Sequence, residues 1–183
     1  MNRTRIFGSP GTFVSGRWFP PLLIAAIYIA CILLVDPRGA FPLNDDWTYT
    51  RSAFRLASGE GLRIDEWSAP SLVGQAMYGG LLTRCFGPSF LVLRVSTLVL
   101  SCGIALLLWA MFERLEIPRR LAWAAVLSWI LNPIQFWLSF TFMTEVPFLF
   151  FAGLGIYFFL LSASSRNRWV VFACGAAFGY AFL

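Results

Sequence analysis

Uncharged apolar runs, rather than amphipathic repeats, dominate the pattern along the chain. Residues 19–35 form a first run, residues 89–112 a second interrupted by Arg94 alone, and residues 121–163 hold a single acid, Glu145. A bilayer core about 30 Å thick takes roughly 20 apolar residues of helix. At about 1.5 Å per residue the third run is too long for one span and suits two, residues 121–138 and 146–163. Asn132-Pro133 and Glu145-Val146-Pro147 bracket the expected turn. A last run, residues 169–183, starts another span, but its length gives only about 22 Å of helix. The pattern thus predicts an all-α, polytopic membrane protein with four full transmembrane helices and a truncated fifth. It reads as the N-terminal part of a longer protein.

Between the first two spans lies a polar loop, residues 36–88, too long for a plain connector. Asp46 to Ser58 places Trp47, Thr50, Phe54 and Ala57 on one stripe and Arg51, Arg55 and Ser58 near another, the pattern of an interfacial amphipathic helix. Gly59 and Gly61 end it. A second, mildly apolar helix is expected over residues 71–86, with Gly79-Gly80 as its weak point and Gly87-Pro88 as its stop. Two such helices along the membrane surface would form a lid or floor.

Composition agrees with the pattern: 58% of residues are hydrophobic and 13% charged, against about 25% charged in soluble domains. All fourteen basic residues are Arg, and the chain contains no His. A His general base, a Ser-His-Asp triad and His-ligated metals are therefore excluded. Cys31, Cys85, Cys102 and Cys174 are far apart, and three lie in apolar runs. They predict neither a zinc knuckle nor a disulfide framework.

The Arg residues also set the expected orientation. Eight (Arg3, Arg5, Arg17, Arg114, Arg119, Arg120, Arg166 and Arg168) fall in three short segments, and five in the single long loop. The short segments, including the tail at residues 1–18, are expected in the cytoplasm and the loop on the outer face, as in a bacterial inner membrane. Arg3, Arg5 and Arg17 ahead of the first run also permit a cleaved signal sequence. Asp36-Pro37-Arg38-Gly39-Ala40 is a poor cleavage site, which favours a retained anchor.

Polar chemistry collects on the outer side, with seven of the nine acids. Asp45 and Asp46 are adjacent carboxylates at a helix start near an apolar surface, where at least one should have a raised pKa suited to proton transfer or metal binding. Equally, Asn44 or Asp45 can cap the helix, and Asp46 can complement its dipole. Asp65-Glu66 reads as loop solvation. Arg94 sits at membrane depth, where a charge is costly, and can snorkel or reach an anionic group. Glu145 can be an acid at a helix N-terminus ahead of Pro147. The topology nevertheless brings Asp45, Asp46, Arg94 and Glu145 to the same leaflet.

The acidic pair with Trp47 and Tyr49 after it, Phe86-Gly87-Pro88-Ser89, Leu93-Arg94-Val95 and Thr141-Phe142-Met143-Thr144-Glu145-Val146-Pro147-Phe148 resemble the polyprenyl-phosphate-sugar-dependent membrane glycosyltransferases of the GT-C class. Within it, the chain is most similar to bacterial relatives of protein O-mannosyltransferases and of lipid A sugar transferases. The resemblance implies inverting transfer of one sugar from a polyprenyl-phosphate donor to a lipid, glycan or protein acceptor at the outer face. It places Asp45 as general base or acceptor-orienting group, Asp46 as its partner and Glu145 as a further catalytic acid. Arg94, Tyr49, Trp47 and Arg51 would bind substrate. No P-loop or nucleotide-sugar motif is present, and no nucleic-acid partner is expected. No cofactor is required, although the acidic pair admits a divalent metal. The competing expectations are a non-catalytic lipid-binding or transport protein and an inactive truncated product.

Overall fold

The computed structural model describes residues 19–68, 73–164 and 167–183. The tail at residues 1–18, the expected helix start at Ser71 and Arg166 lie outside them. Among the described residues there are eight helices and no strand: α1 (Phe19–Val35), α2 (Asp46–Ala57), α3 (Val73–Phe86), α4 (Phe90–Arg114), α5 (Arg119–Ile130), α6 (Pro133–Ser139), α7 (Glu145–Ser162) and α8 (Arg168–Ala181).

Local sequence explains most boundaries. Pro20 and Pro21 fall in the first turn of α1, where a missing N–H costs nothing. Ser89 caps α4, its hydroxyl oxygen accepting from Val92 N at 3.4 Å. Asn132 caps α6 by accepting from both Ile134 N and Gln135 N at 3.0 Å. Pro147 sits in the first turn of α7.

Two helices, α4 and α7, are long and apolar enough to cross a membrane. By length and composition the described residues give two spans, or three if the bent α5–α6 pair crosses as one, against the expected four. The stretch predicted as a continuous third span breaks between Ile130 and Pro133, and α5 and α6 meet at a bend of 58°. Proline inside a helix lacks the donor for its own turn and crowds the carbonyl four residues back, and Asn132 offers a strong alternative cap. α1 and α8 are apolar but shorter, at 17 and 14 residues.

The core has two parts. Ile24 and Tyr28 of α1, Ala105 and Trp109 of α4, and Ala122, Val126 and Ile130 of α5 make one cluster. Tyr49 and Ala53 of α2, Leu93 of α4 and Phe142 make the other, under the loop helices.

The loop helices differ from expectation in packing. α2 buries Asp46, Thr48, Tyr49, Thr50, Ser52 and Ala53, whereas Trp47 is 36% exposed. Of the expected stripe, Thr50 is buried and Phe54 packs against the core while Trp47 turns outward, so the docking face is shifted toward Tyr49, Ser52 and Ala53. α2 lies against α3, and Gly79-Gly80 is the contact rather than a weak point. A Cβ on Gly79 would sit 2.6 Å from Phe142 Cζ and 2.8 Å from Ala53 Cβ. Glycine is used there for close approach, and α3 runs through unbroken.

Candidate functional site

The five residues between α6 and α7, Phe140 to Thr144, form a connector whose first three members are nearly inaccessible (Phe140 6%, Thr141 0%, Phe142 1%). Buried backbone N–H and C=O groups need partners. Three side chains from three other helices supply them. Arg94 Nε of α4 donates to Phe140 O at 3.0 Å. Asp46 Oδ2 of α2 accepts from Phe142 N at 3.4 Å. Gln75 Nε2 of α3 donates to Met143 O at 3.3 Å. Asn44 adds a side-chain contact to Met143 Sδ at 3.7 Å.

The two adjacent aspartates have separate fates. Asp46 is 2% exposed, and its second oxygen accepts from Leu43 N at 2.8 Å. Burial pushes its carboxyl up to about 6, against the opposing pull of the Leu43 and Phe142 N–H groups and of Arg94; repulsion from Asp45 adds least. The raised value expected for the pair thus arises chiefly from desolvation. Asp45 is exposed, and as the residue before α2 it makes no side-chain cap. Asp46 instead binds backward to Leu43.

Both Asp46 oxygens accept backbone N–H groups, and Asp45 lies out at the surface. The pair does not converge on a point, so a divalent cation does not fit it. Among the described residues no three acids or cysteines gather as a cation cluster.

Arg94 is 2% exposed and does not snorkel; it lies at the back of a cleft that Asp36, Arg38, Phe41 and Trp137 also line, with its donors turned to backbone. Besides Phe140 O, its Nη1 donates to Pro37 O and Gly39 O at 2.9 and 3.1 Å, and its Nη2 to Phe41 O at 2.8 Å. The Phe41 ring covers the guanidinium, its centroid 5.3 Å away. Four carbonyls share a charge that would otherwise be ruinous at this depth. Arg94 ties the exit of α1 to the entry of α7.

Glu145 opens α7, and its Oε2 is buried with no hydrogen-bond partner. The residue lines a cleft of about 260 Å³ with Gln75, Thr144, Phe148, Phe151 and Tyr180. Gln75 Oε1 is likewise buried and unpartnered.

Among the remaining sequence candidates, Tyr49 is 7% exposed in the core beneath the connector, and Trp47 projects outward. Arg51 pairs with Asp65 at 3.5 Å, and Arg55 approaches the same carboxylate at 3.9 Å. Asp65 is 7% exposed, and its backbone N donates to Ser52 Oγ at 3.1 Å. It is therefore an anchor for the loop rather than a solvated acid. Sequence reasoning missed Gln75 and Tyr180. The available signal was that Gln75 is one of only two glutamines in the chain and stands in a mildly apolar helix.

The structure thus gathers Asp46, Arg94 and Glu145 around one connector and leaves Asp45, Trp47 and Arg51 on the surface. Compared with known proteins, the chain matches no family model, no curated protein and no solved structure.

Proposed function

We propose that the chain carries the carboxylate half of the active site of a membrane glycosyltransferase that uses a polyprenyl-phosphate-linked sugar. The observation that carries this reading is Glu145, which lines a cleft at the end of an apolar helix and keeps one carboxylate oxygen buried without a partner. A carboxylate in a poorly solvated cleft is suited to take a proton from an acceptor hydroxyl. Glu145 serves that role better than Asp45, which stands in open water. Asp46 is a positioning residue, because it holds Phe142 three residues before Glu145.

A lipid-borne donor is supported by a second feature. An apolar groove of about 480 Å³ runs along α1, α4 and α7, lined by Ile29, Ile32, Leu98, Leu106 and Phe150 among others. Its lining is almost wholly apolar and uncharged, which suits a hydrocarbon chain rather than a free sugar nucleotide. That groove equally favours a second reading, a non-catalytic protein that binds lipid.

The test is sugar transfer by membranes carrying the chain, with radiolabelled polyprenyl-phosphate hexoses and pentoses as donors. The expected outcome is label in a non-carrier product, reduced about 100-fold or more by Glu145→Gln at unchanged membrane levels. Transfer that persists in the Glu145→Gln, Asp45→Asn double variant would overturn the reading, as would no transfer from any such donor. In the second case, lipid binding that survives both substitutions leaves the non-catalytic reading in place.

A further inference from the structure

We propose that Gln75 is a specificity-determining residue, which with Glu145 forms a pair of acceptors that selects a hydroxyl-bearing group and turns away phosphate. The proposal deepens the reading above and rests on the cleft being the subsite for the hydroxylated partner.

The orientation of the Gln75 amide settles what it offers. Its side chain is 5% exposed, and one end lies 3.3 Å from Met143 O. A carbonyl only accepts, so the NH₂ end must face it and the oxygen must be the free end. That oxygen, Oε1, is buried without a partner, as is Glu145 Oε2, and both residues line the same cleft. Tyr180, which also lines the cleft, spends its one proton on Gly74 O at 2.8 Å, so its hydroxyl has only lone pairs left to offer.

Buried acceptors left without donors are expensive, and a ligand that brings protons relieves the cost. A hydroxyl does so. An ionised phosphate brings only more acceptors and more negative charge. Phe148 and Phe151 supply apolar walls suited to the C–H faces of a ring. A divalent cation is a weaker match, since it takes six or more oxygens and the cleft offers one carboxylate and one amide oxygen. In a site of this kind, loss of the matched hydroxyl is punished far more than a change in apolar bulk. The carrier phosphate of the proposed donor must therefore lie elsewhere, and the hydroxylated group occupies the cleft.

The experiment uses the full chain in phosphatidylcholine nanodiscs, titrated with hexyl glucoside, hexyl mannoside, hexyl galactoside and hexyl phosphate and followed by saturation-transfer NMR. At least one hexoside should bind, with hexyl phosphate at least about tenfold weaker. Gln75→Met should weaken that hexoside about tenfold and erase its advantage over one monodeoxy analogue. Glu145→Gln leaves the Gln75 clamp intact and should narrow the gap to hexyl phosphate. The proposal is overturned if hexyl phosphate binds as well as the hexosides, or if no hexoside binds. It is also overturned if Gln75→Met weakens the parent and every deoxy analogue by one common factor, the mark of a purely structural role. Hexoside binding without any sugar transfer would uphold the acceptor pair and remove the transferase reading alone.

Discussion

Arg94 and Asp46 grip the same connector two residues apart, one taking the carbonyl of Phe140 and the other the amide of Phe142, and no ion pair joins them. Opposite charges this close would ordinarily meet. Here each spends itself on backbone, and the backbone in turn is fixed.

Arg94→Lys should therefore fail although it conserves charge. An ammonium has three donors at one point, whereas the guanidinium fork reaches four carbonyls in two segments. Leaving two of them unsatisfied costs about 2–4 kcal/mol. Thermal unfolding in detergent and the amount of protein in membranes should both drop. A variant that folds normally and only raises KM for a lipid phosphate would return Arg94 to a substrate-binding role.

Asp46 makes stability depend on pH with an unusual sign. Its folded-state pKa of about 6 lies above the unfolded value of 3.8. The folded state therefore holds a proton that the unfolded state has lost, and stability rises as pH falls from above 6 toward 4. The span is on the order of 3 kcal/mol. Asp46→Asn should flatten this dependence in melting curves between pH 4.5 and 8. It should also lower stability by about 1–3 kcal/mol, because its NH₂ group would face a backbone donor. A wild-type curve that climbs through pH 6 would contradict the assignment.

Gly79→Ala and Gly175→Ala make a matched pair. At Gly79 the new methyl would overlap Phe142 and Ala53, whereas at Gly175 nothing lies within 4 Å. The first should cost about 1–3 kcal/mol by overpacking. The second should be neutral or stabilising by up to about 1 kcal/mol through helix propensity. Equal melting temperatures for the two variants would count against the α2–α3 packing.

Cys85 tests orientation without any engineered residue. It is exposed at the end of α3, while Cys31, Cys102 and Cys174 are only partly accessible. With the long loop outside, an impermeant maleimide should label it on intact cells, and Cys85→Ser should abolish the signal. Labelling that appears only after lysis would reverse the topology.

Hydropathy alone made the long apolar helices legible, because burial in lipid needs no partner residue to be known. At Asn132-Pro133, read as one edge of a turn, it carried a helix on to residue 138, where the chain instead breaks into α5 and α6. On α2 it placed Thr50 and Phe54 inward but not Tyr49, Ser52 and Ala53, because how closely Gly79 lets α3 approach sets the docking face. The convergence of Asp46, Arg94 and Glu145 followed from topology. The separation of Asp46 from Asp45 did not, since successive helical residues point about 100° apart and only the connector decides which one is covered. Gln75 was invisible for a similar reason: an amide declares its acceptor only once its donor end is engaged.

The 58° bend between α5 and α6 carries a consequence for the surrounding bilayer. With α5 along the normal, its 12 residues and the 7 tilted residues of α6 reach only about 24 Å at 1.5 Å per residue. The hydrocarbon layer is about 30 Å thick. Crossing as one span, a pair of that reach would draw the headgroups inward beside α6 and thin the leaflet next to the connector. A lipid arriving there would then present its polar end nearer the level of the cleft without being lifted from the membrane.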